Sequence, residues 1–182
     1  MNYELIRSNR KTVSIEIKNG SIIVRAPVRM KEKEIELILN ENKSRIEKSL
    51  IKSAETEKAA QAEGILSKEE LCSLTLEAKK IIPERAAYYA EIIGVSYGKI
   101  TIRTQRTRWG SCSSKGNLNF NCLLMLTPPQ VIDTVIVHEL CHLKKMNHSK
   151  RFYAEVYKAY PEYDRWNKWL KDNGPVIIRR AF

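Results

Sequence analysis

The sequence contains little histidine. Only three of its 182 residues are histidines, and they stand at His138, His142 and His148 within the segment HELCHLKKMNH. Histidine is the side chain that most often binds transition metals in proteins, so this one segment holds every imidazole ligand that the chain can offer. The chain also lacks a glycine-rich loop of the kind that cradles phosphates, which argues against an enzyme that binds nucleotides through such a loop.

Two further absences bear on where the protein works. No apolar run is long enough to span a bilayer and no signal-peptide core follows MNYELIRSNRK, so we expect a cytoplasmic location and no membrane partner. The four cysteines lack any C-x-x-C pairing, and in a cytoplasmic chain we expect them to remain thiols. Cys112 and Cys122 precede the histidine segment, and we expect each to be a small buried thiol rather than a metal ligand.

The histidine segment has the spacing of a catalytic metal site. Helical residues four apart lie on one face, so His138 and His142 can bind the same ion. A catalytic zinc site uses three protein ligands and keeps a fourth position for water, and His148 can supply the third ligand. Glu139 lies one residue further round the helix, where its carboxylate can take a proton from the metal-bound water. The pattern predicts a zinc-dependent hydrolase with one Zn²⁺ ion, and with Glu139 as its general base.

The residues around this segment predict a buried helix followed by a turn. Thr127 can cap the helix, Pro128 suits its first turn, and Gln130 can complete a capping box. Apolar residues then precede and flank the first two histidines, as in a helix packed into a core. His148 stands just before Ser149, a good N-cap residue, so the third ligand is expected in a turn between two helices.

The remaining pattern predicts strands near the N-terminus and helices over most of the rest. Three short strands are expected first, with a hairpin turn at Lys18-Asn19-Gly20: Tyr3–Arg7, Thr12–Ile17 and Ser21–Arg25. Helices are expected where the sequence has helical periodicity or capping signals. The first covers Lys31–Leu50, and the stretch to Glu63 either extends it or frays as a linker. The second is opened by the capping box of Ser67 and Glu70 and runs to Ile93, with a kink or break at Pro83; the last two cover Lys150–Ala159 and Glu162–Asp172, with a stop at Asn173-Gly174-Pro175.

A β-hairpin is expected just upstream of the metal helix. Its first strand, its turn and its second strand are predicted from alternation and turn composition at Thr101–Trp109, Gly110–Gly116 and Leu118–Leu126. Zinc peptidases usually bind an extended substrate on a strand in this position, through backbone pairing along an edge. Asn117, Asn119 and Asn121 would then line one wall of the cleft, although each alone also fits an ordinary solvent-facing strand residue.

The same region carries a resemblance to a known family. Arg108–Asn117 reads RWGSCSSKGN, and together with HELCHLKKMNHS it closely resembles the YgjP-type metal-dependent hydrolases, which are relatives of the SprT-like and WLM zinc peptidases. The resemblance runs through most of the chain, from Val24–Pro27 to a helix over Trp166–Leu170. It implies that the three histidines bind a metal ion and that Glu139 is catalytic. The chain departs from the family at Asn121-Cys122-Leu123, where a tryptophan and an arginine often follow the asparagine, and this departure concerns substrate contacts made there.

Taken together, these patterns predict an α+β fold in a single metal-dependent hydrolase domain, residues 1–182. Its first part, residues 1–66, would hold a small antiparallel β-sheet of hairpins plus a helix. Its second part, residues 67–182, would be zincin-like, with a β-hairpin followed by the HExxH helix and the C-terminal helices.

Three functions fit this site. The first is a zinc metallopeptidase, with Arg108, Tyr153 and Tyr157 as candidate oxyanion donors, and with Arg108, Tyr153 and the three asparagines as substrate contacts. The second is a metal-dependent hydrolase of nucleoside triphosphates such as UTP, an activity attached to some YgjP-type proteins. The third is a nucleic-acid-binding module with a structural metal. Three histidines suit zinc better than the magnesium of phosphate chemistry, and a closed structural site has no use for an adjacent base, so we favour the peptidase.

The charge distribution leaves the partner open. Residues 101–182 carry 14 basic and 6 acidic groups, so this part holds +8 of the net +11. Such a field attracts anions, which is consistent with nucleic acid near a protein or peptide substrate, or with a nucleotide as the substrate itself. A solvated basic face on an ordinary protein explains the same numbers equally well.

Overall fold

The computed structural model describes residues 2–18 and 20–182. These residues form six α-helices, one 3-10 helix and six short strands, which confirms the α+β class. They divide into two compact units, Met1–Ala62 and Glu63–Phe182, each with its own apolar core. None of the helices in the described residues is both long enough and apolar enough to cross a membrane.

The first unit begins with a mixed sheet, and not with the antiparallel one that we expected. Its strands are β1 (Glu4–Ser8), β2 (Ser14–Lys18) and β3 (Ser21–Pro27), in the order β1-β3-β2. The β2–β3 hairpin is confirmed, and Asn19 of its predicted turn lies outside the described residues. β1 instead runs parallel to β3. The most apolar strand, β3, takes the centre because its buried residues Ile22, Val24 and Ala26 form the core of the unit.

Two helices complete the first unit where the sequence pattern indicated one. α1 spans Glu32–Glu41 and α2 spans Lys43–Glu63, so the expected helix over Lys31–Leu50 is interrupted and its extension to Glu63 is real. The break falls at Asn42, whose side-chain amide donates to the Ile38 carbonyl at 2.8 Å. Asparagine competes for backbone hydrogen bonds in this way and favours helix ends.

The second unit opens with a long helix, α3 (Lys68–Ile93). The predicted capping box is present, because the Glu70 amide donates to the Ser67 hydroxyl at 3.1 Å and the Ser67 amide donates to the Glu70 carboxylate at 2.7 Å. Gly94 ends the helix in the left-handed conformation, at φ 73°. The helix is not broken at Pro83, since a proline removes only one backbone hydrogen bond and α3 lies against much of the core of this unit.

The second sheet differs from the hairpin that we predicted. Its strands are β4 (Ile100–Arg103), β5 (Gly110–Cys112) and β6 (Leu118–Asn121), in the order β4-β6-β5. β5 lies in the predicted turn segment, and β4 is shorter than predicted and pairs parallel to β6. β6 also ends early, at Asn121. The Asn121 side chain accepts the Leu123 amide at 3.2 Å and so starts a 3-10 helix over Cys122–Leu126.

The helix with the metal-site pattern, α4 (Pro129–Cys141), is buried on nearly every side. It packs against α3, against β5 and against two later helices, α5 (Lys150–Ala159) and α6 (Tyr163–Arg179). Its predicted capping box does not form, because the Thr127 hydroxyl donates to the Leu124 carbonyl at 2.7 Å and Pro128 takes the N-cap position. A helix that is largely apolar on all sides belongs in a core, and its polar groups are the site residues and a few others, such as Asp133, that have partners within the protein.

α6 continues past the residues that were expected to stop it. We predicted an end at Asn173-Gly174-Pro175, but the helix runs on to Arg179. A Cβ atom on Gly174 would lie 3.0 Å from the Trp109 ring, so the glycine permits close packing of the indole on the helix. This contact and the burial of Ile177 outweigh the local cost of glycine and proline in a helix.

An ion pair fixes α4 to α3 on the side away from the histidines. The Arg85 guanidinium donates to both carboxylate oxygens of Asp133, and the Tyr89 hydroxyl also hydrogen-bonds this carboxylate. The Asp133 side chain is only 7% exposed. Its charge therefore needs these partners, because burying an unpaired carboxylate is costly.

Replacing Arg85 by methionine is expected to lower the free energy of unfolding by about 2–3 kcal/mol. The loss stays below the roughly 3–5 kcal/mol of a fully buried pair because the Arg85 side chain is 38% exposed. Urea unfolding followed by circular dichroism measures the change. Arg165→Met, which removes an exposed pair with Glu162, is the matched control and should cost about 0.5 kcal/mol or less. Equal losses in the two variants would contradict the role assigned to Arg85.

Candidate metal centre and active site

The three histidines lie together, although they come from different elements. His138 and His142 stand at the end of α4, and His148 stands in the turn before α5. The Nε2 atom of His138 lies 3.2 Å from that of His142 and 3.0 Å from that of His148. One ligand atom from each residue falls within 4.8 Å of the others. The folded chain therefore brings all three predicted ligands to one point.

This spacing fits a single divalent ion. Nitrogen ligands of a tetrahedral zinc ion stand at about 2.0–2.1 Å from the metal and therefore roughly 3.3 Å from one another. The separations of His138 Nε2 from the other two Nε2 atoms, 3.0 and 3.2 Å, agree with that value. The donors are all imidazole nitrogens, which suit zinc and its transition-metal neighbours better than calcium or magnesium.

The outer ring nitrogens of two histidines have partners that orient the rings. His142 Nδ1 donates to the Lys145 carbonyl at 3.2 Å. A carbonyl only accepts, so the proton sits on Nδ1 and the lone pair of Nε2 is left for a metal. His138 Nδ1 lies 2.8 Å from the Tyr163 hydroxyl, whose oxygen can accept a hydrogen bond from it in the same way. Such partners of ligand histidines fix the tautomer and the ring direction.

A buried phenylalanine supports the three rings. Phe152 is fully buried, and its ring centroid lies 5.0 Å from that of His138, 4.7 Å from that of His142 and 5.0 Å from that of His148. Burial is the main cause that lowers the pKa of His138 to about 4, and it also lowers the pKa of His142. Both rings therefore stay neutral at neutral pH, as metal ligands must.

Glu139 is a buried carboxyl group beside this centre. It is 7% exposed, and burial raises its pKa to about 7. Two groups lower this pKa: the Cys112 backbone N–H donates a hydrogen bond to the carboxylate, and the positive charge of Arg108 attracts it. The group can thus both hold and release a proton near neutral pH, which suits an acid–base role.

The edge strand β5 lies directly against Glu139. Trp109 and Ser113 make the backbone hydrogen bonds to the β6 side, so by alternation the backbone groups of Gly110 and Cys112 face outward. A Cβ atom on Gly110 would lie 2.7 Å from Cγ and 2.8 Å from Oε1 of Glu139. A side chain at residue 110 would therefore displace the Glu139 carboxyl group from its position against β5.

The predicted asparagine wall is not formed. β6 is the central strand, with β4 and β5 on its two sides, so it has no free edge for a substrate. β4 and β5 are the edge strands, and β5 is the one that packs against α4. Asn121 is fully buried, and its amide donates to the carbonyls of Gln105 and Arg108 at 2.8 and 3.0 Å. Asn117 accepts the Lys99 amide at 2.9 Å, and Asn119 donates to the Ser111 hydroxyl at 3.3 Å. All three amides hold the loops and strands of the chain itself.

The other predicted substrate contacts lie close to the centre. The exposed Arg108 borders a cavity that also contains His138 and Glu139. Tyr153 is half-buried, with its ring centroid 6.3 Å from that of His148. Tyr157 donates its hydroxyl to Asp164 at 3.1 Å, so it is engaged elsewhere. Arg108 and Tyr153 thus flank the site on two sides.

Sequence reasoning missed three residues of this site: Gly110, Phe152 and Tyr163. Phe152 follows His148 by four residues and could have been suspected from helical spacing after the Ser149 N-cap. Gly110 had been assigned to a turn, and only its contact with Glu139 explains it. Tyr163 lies 25 residues from His138, and no local pattern connects the two.

Comparison with known proteins places the chain in a family. Residues 72–173 match the family described as YgjP-like, metallopeptidase domain. Two similar solved structures are the metallopeptidase zymogens abylysin of Pyrococcus abyssi, at 21% identity and TM-score 0.46, and jannalysin of Methanocaldococcus jannaschii, at 19% identity and TM-score 0.45. The matches cover 50% of this chain and 94% of abylysin or 95% of jannalysin. No curated protein matches the chain. The matched residues 72–173 include the three-histidine centre, and the chain therefore belongs to the YgjP-like metallopeptidase family.

Proposed function

We propose that the protein is a zinc-dependent metallopeptidase that hydrolyses peptide bonds with Glu139 as its general base. The observation that carries this proposal is the convergence of three Nε2 atoms beside a buried carboxyl group. Membership of a metallopeptidase family supports the reaction class. The three-imidazole donor set supports zinc as the ion.

His138, His142 and His148 would hold the zinc ion through Nε2. When bound, the ion would supply Lewis-acid activation of water and of the scissile carbonyl. The Lys145 carbonyl and the Tyr163 hydroxyl keep two of the rings in the tautomer that leaves Nε2 free. A site with three protein ligands retains an open position, which is what a catalytic centre requires.

Glu139 would carry the proton. Its carboxylate takes a proton from the attacking water and later delivers it to the leaving amine nitrogen, so one group serves both steps. The Cys112 N–H and the Arg108 charge help to keep it ionised against the effect of burial. Its position against β5 holds the carboxylate on one side of the site, which limits the directions from which water can approach.

The substrate would lie extended along β5. This strand is the free edge next to α4, and its residues Gly110 and Cys112 turn their backbone groups outward. Peptides commonly add to such edges through backbone hydrogen bonds. With the Cys112 N–H engaged by Glu139, Gly110 offers the nearest backbone groups for this pairing.

Glu139→Gln is expected to lower kcat/KM for an unfolded protein substrate by about 10²–10⁴-fold, because glutamine has the same shape but cannot accept the proton. The zinc content should stay at that of the wild type, since Glu139 is not a ligand. Cleavage is followed by the release of new amino termini, and zinc is measured by elemental analysis. Glu155→Gln, on an exposed carboxylate paired with Lys144, should change neither quantity.

Full cleavage by Glu139→Gln, or by protein freed of zinc with a chelator, would refute this mechanism. The same preparations are assayed against nucleoside triphosphates. Their hydrolysis with loss in Glu139→Gln, and without any peptide cleavage, would assign the site to phosphate chemistry instead.

Gly110→Ala is expected to reduce kcat/KM by about 10²-fold with zinc still bound. The new Cβ would lie within 2.7 Å of Glu139, and a displacement of about 1 Å in a catalytic group has this scale of effect. The control is Ser111→Ala, whose side chain points to the opposite face of the strand. Wild-type activity in Gly110→Ala would show that the carboxylate does not act from its present position.

Tyr163→Phe is expected to weaken zinc binding by about 10–100-fold, because it removes the partner of His138 Nδ1. Competition with a chromogenic chelator measures the affinity. Tyr157→Phe removes a nearby hydroxyl that bonds Asp164 rather than a histidine and should bind zinc normally. If Tyr163→Phe lowers only the unfolding midpoint of the metal-free protein, the hydroxyl has a structural role and no effect on the metal.

A further inference from the structure

A cavity of about 200 Å³ opens beside Glu139 and His138, within the second unit. Neither His142 nor His148 borders it, so it lies on one side of the three-histidine centre. We call it the Trp109 cavity after the largest residue of its wall. The lining residues that decide what it can bind are Arg108, Trp109, Val135, Glu139, Asn167 and Leu170.

Rigid elements form the walls of the Trp109 cavity. α4 contributes Thr134 and Val135, which precede His138 and Glu139 by one helical turn and so share their face. α6 contributes Tyr163, Asn167 and Leu170 at intervals of four and three residues, again one face of a helix. The remaining wall comes from Trp109, whose ring packs on Gly174. Because the catalytic residues are part of the same walls, whatever fills the cavity lies next to the reacting bond.

The chemistry of the cavity favours an apolar occupant with one polar contact. Trp109, Val135 and Leu170 present apolar surface, and Arg108 is the one cation in its lining. The Asn167 amide makes no hydrogen bond with any residue in the ranges 2–18 and 20–182 that the structure describes, so it is available to a ligand. A carboxylate inside would meet Glu139 as well as Arg108, and an ammonium group would meet Arg108 as well as Glu139. Neither charge has an unopposed partner in the cavity, and either would lose its hydration on entering it.

The size of the cavity matches one large side chain. About 200 Å³ corresponds to roughly seven water molecules at about 30 Å³ each. This is enough space for one benzyl or isobutyl side chain. Pockets for whole drug-sized molecules are larger, at about 300–1,000 Å³. A nucleoside triphosphate would extend out of the cavity, whose lining offers its phosphates one cation, Arg108.

We propose that the Trp109 cavity is the specificity site of the enzyme and that it binds a large apolar side chain, such as phenylalanine or leucine, of the substrate residue next to the scissile bond. The inference rests on the proposed peptidase function and adds the substrate class to it. Asn167 would bind the backbone of that residue. Peptides with alanine, aspartate or lysine at the same position would leave the cavity empty or place a charge in it.

Binding is measured first, with zinc-loaded Glu139→Gln protein and with peptides that differ at one position, which carries phenylalanine, leucine, alanine, aspartate or lysine. Calorimetry or the fluorescence of the tryptophans reports the affinity. We expect the phenylalanine and leucine peptides to bind at least about tenfold more tightly than the other three, as a well-filled apolar pocket discriminates by about 10–200-fold. Equal affinities for the five peptides would overturn the proposal. It would also be overturned if peptides bound without preference for large apolar residues and UTP displaced them.

Cleavage of the same peptides by wild-type protein separates the two proposals. Cleavage without preference for large apolar residues would overturn the specificity site and leave the peptidase standing. Preferential binding without any cleavage would support the site and refute the peptidase. In Leu170→Ala, which widens the cavity, the ratio of phenylalanine to alanine binding should fall by roughly threefold or more. Leu76→Ala, at an exposed leucine of α3, should leave that ratio unchanged.

Discussion

The convergence of three imidazole nitrogens is the constraint on which the rest of the second unit depends. Without a bound ion, Nε2 lone pairs that lie 3.0 and 3.2 Å from that of His138 gain little from one another, so packing must hold the rings together. α4 does so by being buried on nearly every side. Phe152 lies under all three rings, and the Arg85–Asp133 ion pair ties the far side of the helix to α3. The site is thus preorganised by the core rather than by local loops.

The outer contacts of the site explain why α5 and α6 belong to it. α5 supplies Phe152, and the turn before it supplies His148, so one short segment provides both a ligand and its support. α6 supplies Tyr163, which hydrogen-bonds His138 Nδ1, and one wall of the Trp109 cavity. The close packing of Trp109 on Gly174 joins β5 to α6. A shift of α6 would therefore move both a partner of His138 and a wall of the proposed specificity site.

The two faces of the centre differ in character. On one face lie the exposed His148 and the half-buried Tyr153, in the part of the chain, residues 101–182, that carries +8 of the net +11 charge. On the other face, Glu139 lies in a mainly apolar cavity against β5. Low polarity around a carboxylate strengthens its interactions, whereas an open, charged face favours the approach of solvent and of anionic groups. In the function proposed above, substrate selection and proton transfer would take place on the Glu139 face, and exchange with solvent on the His148 face.

The histidine spacing, the Ser67 and Ser149 caps and the Gly94 stop could all be predicted from the sequence, because each depends on residues within one or two helical turns. The sheets could not be predicted in the same way. β1 and β4 pair with strands that follow them by a dozen or more residues, and the centre of each sheet goes to the strand with the most buried apolar surface. The continuation of α6 through Gly174, the need for glycine at 110 and the partnership of Tyr163 with His138 depend on contacts between distant segments. Local propensity determined where helices begin and which residues can bind a metal, whereas only tertiary packing decided what surrounds them.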